Sequence, residues 1–414
     1  MTPFKAAPFR WLLSASVATS IATGTERTAT SWLVLEAGGD ALAVGLVLAA
    51  RMLPPLLFGL AAGTVADRVQ RSRQLAVVSG AGVPLMALLA ALAATGRVQL
   101  WQLIAVSFAL GCMTVFDMTA RQTLAVDSVP RELASNGVAL NALAGRLSVA
   151  IGAFVAGVVI SATGVPSCYG AAATMYTLGA VLVWRVKPRE TRHTHYAKVS
   201  FARAMADAAR LVVDVPAVRT LCFAAVACEI FAFSHPAAVP VIAKDVLDSG
   251  AEGLGVLNAS IAVGGALGVL LLALLPPRIR REPVLGLVFV TYGAALLALA
   301  GARSLPTAAT ALLVIGACAA SFDALQQSLM QLSVPDDQRG RAMGLWMFAI
   351  GSAPLGLIET GILVTAVGAP AAMLLNGLVV LLCAAALLAR APVYRGSLGF
   401  SGAGSTGPSR PASR

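Results

Sequence analysis

The stretch Gly63-Thr-Val-Ala-Asp67-Arg68-Val-Gln-Arg71-Ser-Arg73 closes an apolar run that begins at Gly45, and another apolar run starts almost at once, near Leu75. One acid is followed by three arginines inside six residues. Crossing a bilayer core of about 30 Å takes roughly 20 apolar residues per helix. Two segments of that length joined by so short and basic a hinge predict a tight turn on the cytoplasmic side, where Lys and Arg collect. The rest of the chain then has to divide into similar spans with basic loops on alternate connections.

Composition agrees with that division. The chain has 414 residues, 58% of them hydrophobic and only 12% charged, with a mean hydropathy of +0.83. A soluble domain carries about 25% charged residues, so the surplus of apolar surface calls for lipid. The net charge of +11 does not point to nucleic acid, because the basic residues sit between apolar runs instead of gathering on one polar face. Six cysteines, at 112, 168, 222, 228, 318 and 383, fall mostly inside apolar runs without ligand spacing and read as small buried hydrophobes. Lys5 and Arg10 precede an apolar run that continues to Leu35 without a convincing cleavage site, so this run reads as a first, uncleaved span.

Twelve apolar stretches of spanning length are predicted, at 11–36, 42–65, 74–95, 100–119, 137–161, 165–185, 217–243, 253–275, 283–302, 306–330, 341–366 and 370–390. With both termini cytoplasmic, 24 of the 30 Lys and Arg fall in inner segments and only Arg97, Lys244 and Arg303 in outer ones. That bias requires an even number of spans and inside termini. An internal repeat runs through the same pattern. Arg121-Gln-Thr-Leu-Ala-Val-Asp-Ser-Val-Pro130 aligns with Gln326-Gln-Ser-Leu-Met-Gln-Leu-Ser-Val-Pro335 at an offset of 205, and Arg68-Val-Gln-Arg71 with Arg278-Ile-Arg-Arg281 at an offset of 210. Each half is a copy of one six-span unit, and an even unit puts both copies in the same orientation. The expected organisation is a six-helix bundle over 1–185, a cytoplasmic linker over 186–216, a second bundle over 217–392 and a disordered tail over 393–414. The linker segment from Phe201 to Val212 has the apolar spacing of an interfacial helix.

Ionisable groups inside apolar spans are costly and mark candidate function. Glu26 in the first span and Arg51 in the second reach similar depth from one outer loop, so they are expected to pair, while Arg27 is turned about 100° around the helix. Two readings stand: a purely structural ion pair, or a Glu26 that exchanges a proton as a cavity opens to either side. Threonines 19, 23, 25, 28 and 30 give the first span a wet face. Glu229 lies in the middle of the seventh span and His235 follows it, 209 residues after Glu26 and so opposite it in the repeat; a titrating histidine and a structural one both fit. Asp117 and Asp323 occupy equivalent places in spans four and ten, each after a phenylalanine, and Asp117 can reach Arg121 one turn on. Asp117, Arg121 and Asp323 are expected to serve a cytoplasmic gate or to anchor a loop. Gly63, Asp67, Arg68 and Arg71 are expected to serve the same gate through charge-assisted bonds at helix ends, with Gly63 allowing close packing. Arg146 and Glu359 also lie within spans. His193 and His195 have no acid or cysteine beside them, so no metal site is expected.

The chain resembles the major facilitator superfamily over nearly its whole length, and within it the branch of macrolide-efflux and enterobactin-export proteins. The resemblance rests on the combination, in chain order, of Trp32-Leu-Val-Leu35, Ala49-Ala-Arg51-Met-Leu-Pro54, the 63–73 loop, Ala120-Arg-Gln122, Val129-Pro-Arg-Glu132 and the stretch from Gly152 to Gly157. It implies an all-α membrane protein of twelve helices in two pseudo-symmetric bundles, exporting an amphiphilic small molecule against an inward flow of protons. It also implies an antiporter-like motif on helix 5, carried here by Gly152 and Gly157. The chain departs from the family pattern at Gln70, at Ser72 and at Ala153, where antiporters have proline.

Other classes fit less well. An importer or facilitator on the same fold remains the alternative, since fold does not set direction. A membrane enzyme needs a nucleophile with a base, and with three histidines, two of them in a loop, no such constellation stands out. None of the four lysines stands in a nucleotide-binding G-x-x-x-x-G-K-[ST] loop. A small solute, protons and the lipid bilayer are the expected partners, without cofactor, metal or nucleic acid, for a monomer in a bacterial inner membrane.

Overall fold

In the computed structural model the described residues are 3–66, 70–186, 210–276, 278–335 and 338–389, and among them there is no strand. Lipid offers no hydrogen bonds, so a spanning backbone must satisfy its own, and the helix is the form that does so within one segment. Twelve spanning elements follow one another: α1 (Ala7–Glu36), α2 (Ala41–Ala66), α3 (Arg71–Thr95), α4 (Leu100–Asp127), α5 (Ala134–Thr163), α6 (Val165–Trp184), α7 (Pro216–Val246), α8 (Gly250–Ala273), α9 (Arg281–Ala300), α10 (Leu305–Leu332), α11 (Arg339–Ile350 continued by Ala353–Val367) and α12 (Ala369–Ala389). Among the described residues, ten are long and apolar enough to cross a membrane by length and composition. The other two, α1 and α6, have 30 and 20 residues, enough to span at about 1.5 Å per residue. Their hydropathy is diluted by Glu26, Arg27 and threonines in α1 and by Tyr169 and Tyr176 in α6, side chains held inside the protein or facing its cavity. The lipid-facing surface carries large exposed aliphatics such as Leu271, Leu287 and Leu382, and Trp101 and Trp184 stand exposed near span ends, as interfacial aromatics do.

Two of the predicted spans, 217–243 and 341–366, contain prolines (Pro236, Pro240 and Pro354) and are broken. In α7 a regular helix (Pro216–Ala227) passes into a wide turn at Cys228–Ala232, a tight turn at His235–Ala237 and a second wide turn at Ile242–Val246. Pro236 has no N–H to give to the carbonyl of Ala232, four residues back. That carbonyl accepts instead from the Tyr292 hydroxyl and from His235 Nδ1, each at 3.0 Å. In α11 the break falls at Gly351 and Ser352, just before Pro354.

The helix pairings repeat. In the first half α1 packs on α5 and α6, α2 on α4, and α3 on α4 and α6; in the second, α7 packs on α11 and α12, α8 on α10, and α9 on α10 and α12. The halves meet along α2–α11 and α5–α8, each pair being the counterpart of the other. Helices in lipid associate through close approach, which favours small residues at crossings. Gly111 lies against the Arg51 carbonyl and Gly316 against that of Ile261. These glycines are 205 positions apart and their partners 210, the two offsets read in the loops. Between the halves, Gly157 meets Gly255 and Gly45 meets Leu357 and Gly361, again as counterparts.

Residues 187–209 and 390–414 are outside the described residues, and with them His193, His195, most of the expected linker helix and the expected tail.

Candidate functional site

A cavity of about 860 Å³ lies between the halves and is lined by both. Its lining reaches Gln122 and Ala125 in the last turns of α4 and Val138 in the first turns of α5, so it extends toward the side where α1 begins and α12 ends. On the opposite side, called here the far side, the halves are bonded together. Thr28 accepts from Asn258 (3.2 Å), the Leu35 carbonyl from Lys244 Nζ (3.1 Å), and Glu252 from the Ser161 hydroxyl (2.8 Å). Thr365 accepts from the Leu42 amide (3.3 Å) and donates to Asp40 (3.3 Å). These five bonds between the halves lie on the far side, next to the Gly157–Gly255 and Gly45–Gly361 contacts.

Glu26 is 1% exposed and accepts both of its short bonds from Arg51 Nη1, at 2.9 and 2.8 Å. Thr30 adds a longer bond at 3.4 Å, and its hydroxyl is 3.1 Å from that of Tyr169. Arg51 lines the cavity while Glu26 stands behind it. Two adjacent antiparallel helices thus bring together two groups at matched depth, and each neutralises the other where neither has bulk water. Arg27 points into the cavity and has neither hydrogen bond nor ion pair among the described residues. The expected turn of 100° separates the two roles.

Asp117 and Arg121 form a two-pronged pair one helical turn apart, Nε to Oδ2 at 2.9 Å and Nη2 to Oδ1 at 2.6 Å. Arg121 also donates to Ser16 (2.5 Å) and Thr19 (2.9 Å), which ties α4 to α1. Arg71 bonds Asp127 at 2.7 Å and so joins α3 to α4 within one half. Gly63 is in the last turn of α2, and Asp67 and Arg68 are outside the described residues. Gly152 sits against Ile21 in α1, and Gly157 at the far-side junction.

Glu229 and Asp323 line the cavity from the second half, and neither has a hydrogen bond or ion pair among the described residues. Glu229 is 7% exposed. His235, 4% exposed, turns Nδ1 to the Ala232 carbonyl, so Nδ1 carries the hydrogen and Nε2 is left as an acceptor without a partner. Glu359 does have partners: Asn376 donates to it at 3.4 Å and to Thr360 at 2.8 Å, and Thr360 is 2.7 Å from Ser234. The tyrosines 169, 176 and 292 were not singled out in the sequence. A tyrosine inside an apolar span is the signal that could have found them, because a buried phenol needs a partner.

The family model for transmembrane secretion effectors matches residues 1–397. The chain belongs to that family, within the major facilitator superfamily. It is similar to the multidrug efflux pump Tap of Mycolicibacterium fortuitum, 26% identical over 397 residues that cover 92% of this chain and 95% of the relative. It is 21% identical over 328 residues to the staphyloferrin A transporter of Staphylococcus aureus, covering 79% of this chain and 82% of that one. Its fold matches the crystal structure of the nucleoside transporter NupG with a TM-score of 0.79 at 13% identity, over 92% of this chain and 99% of that one. The protein is a multi-pass membrane transporter of the major facilitator fold.

Proposed function

We propose that the protein is a secondary active exporter of amphiphilic, drug-like or siderophore-like small molecules, working by alternating access and proton antiport. The observation that carries this reading is the asymmetry of the interface: one cavity between two repeated bundles, bonded shut on the far side and extending to the side of the termini. In this reading that side is cytoplasmic, as the basic loops require. The chain works as a monomer in a bacterial inner membrane, with bundles over 1–185 and 217–392 joined by a cytoplasmic linker and followed by a cytoplasmic tail. The structure then corresponds to the state that loads solute from inside.

Export against a gradient needs a group that holds a proton in one state and loses it in the other. Glu26 is a poor candidate, because Arg51 occupies both of its oxygens behind the cavity wall. Glu229 and Asp323 face the cavity without donors, with Arg146 the cation opposite Asp323. They are the carboxylates assigned to proton exchange, and Asp117 with Arg121 helps hold α4 on α1. The relatives' names, a multidrug efflux pump and a siderophore transporter, support the direction and the solute class. Everted membrane vesicles with an imposed pH gradient, offered a panel of drugs and siderophores, test this. Accumulation that collapses when the gradient is dissipated and is lost in Glu229→Gln is the expected result. Movement indifferent to the gradient would leave a facilitator.

A further inference from the structure

We propose that the cavity is built for a solute carrying charges of both signs, with an ammonium group held by α7 and α10 and a carboxylate or similar anion held by α1 and α5. The proposal rests on the reading of this cavity as the transport site and adds the chemistry of what it holds.

Six charged side chains other than Glu229 line the cavity, and pairing sorts them. Arg51 is matched by Glu26 and Arg121 by Asp117. What remains without an ion pair or hydrogen bond among the described residues is Arg27 and Arg146 on the first half, Glu229 and Asp323 on the second. The unmatched cations are all on one wall and the unmatched acids all on the other. Glu229 is more than nine-tenths buried and still lines the cavity without a donor. Two carboxylates on one wall suit a group that brings several N–H donors and a positive charge. Arg27 and Arg146 are exposed to the cavity and bring forked donors that suit a carboxylate.

Arg146 reaches far enough that a methyl group on Gly265 of α8 would stand 3.1 Å from its Nη1, so the guanidinium spans toward the second half. It acts on Asp323 electrostatically without forming a salt bridge. A solute charged at both ends, lying between the walls, meets an opposite charge on each and draws them together. A solute of one charge leaves the other wall's charges to lose water alone when the halves close, a desolvation that nothing offsets. Apolar lining from Met113, Phe233, Ile261 and Leu357 suits an amphiphilic body between the two ends, and the volume fits a drug-sized molecule.

Equilibrium binding to the purified full chain in detergent tests this with three forms of one probe. Ciprofloxacin carries both charges at neutral pH, its N-acetyl derivative only the anion, and its methyl ester only the cation. The parent compound is expected to bind about tenfold or more tightly than either derivative, the worth of one charged hydrogen-bonded contact. Glu229→Gln combined with Asp323→Asn should erase the advantage over the N-acetyl form alone, and Arg27→Gln with Arg146→Gln the advantage over the ester alone. Where a double variant fails to fold, Glu229→Gln and Arg146→Gln are read singly. An ester that binds as tightly as the parent overturns the proposal, as does an equal loss of all three forms in every variant. Equal binding, or no binding, by the three forms overturns it as well. Charge-matched binding without transport in vesicles would refute the export reading alone. Outward transport of a solute whose single-charge form binds equally would refute only this inference.

Discussion

Substituting Gly157 by alanine tests whether the far-side junction is a seam that opens. A Cβ on Gly157 would stand 2.7 Å from the Ala251 carbonyl oxygen, 2.9 Å from the Gly255 Cα and 3.2 Å from the Glu252 Cα. All three are backbone atoms of α8, so no side chain can swing away. Carbon atoms in contact prefer about 3.5–4.0 Å, so α5 and α8 must part here by roughly 1 Å. Overpacking of this kind costs about 1–3 kcal/mol, and it falls only on the state in which the two helices touch. A state open on the far side, where they have separated, is spared. The ratio of far-open to far-closed molecules should rise by about 5- to 150-fold, at 1.4 kcal/mol for each factor of ten. Spin labels on the far-side turns at positions 38 and 248, read by pulsed dipolar spectroscopy in lipid nanodiscs, report that ratio as a longer-distance component. The counterpart Gly45→Ala should act in the same direction, whereas Gly80→Ala, where a Cβ meets nothing within 4 Å, should not. A folded Gly157→Ala protein with an unchanged distance distribution would refute the seam.

Arg51→Ala leaves Glu26 buried without its partner and should destabilise the protein by about 3–5 kcal/mol; pairing it with Glu26→Gln should recover much of that loss, read as the thermal unfolding midpoint in detergent. Tyr292→Phe removes one of two donors to the Ala232 carbonyl that Pro236 leaves free, and should cost about 0.5–1.5 kcal/mol by the same measurement. Arg121→Lys keeps the charge but gives up the fork to Asp117, Ser16 and Thr19; it should raise hydrogen exchange at the α1–α4 contact while leaving the α2–α11 contact unchanged.

Much of this architecture was legible because the membrane imposes a one-dimensional code. Span length, arginine-rich turns and the offsets of 205 and 210 needed no knowledge of side-chain packing, and the offsets reappear in the glycine crossings at 111 and 316. The Glu26–Arg51 pair was legible for a similar reason, since equal distances from one loop give equal depth. Azimuth was harder. That Arg71 would meet Asp127 of its own half is decided only by the rotation of α3 against α4. Glu359 is bonded by Thr360 beside it and by Asn376 of α12, and Thr360 also reaches Ser234 of α7, a convergence that spacing along one helix does not reveal. The break in α7 could be suspected from Pro236 and Pro240, but the donor that makes it tolerable is Tyr292, 60 residues beyond the Ala232 carbonyl it bonds.

Antiport itself is tested most directly without any imposed pH gradient. Proteoliposomes holding a trapped pH dye are loaded with the solute that gives the largest vesicle signal and then diluted, so that only the solute gradient drives movement. Exchange through one cavity requires protons to enter as solute leaves. The account expects internal acidification that exceeds protein-free liposomes and disappears in Glu229→Gln. Solute leaving through the protein with no change in internal pH, or with alkalinisation, would contradict it.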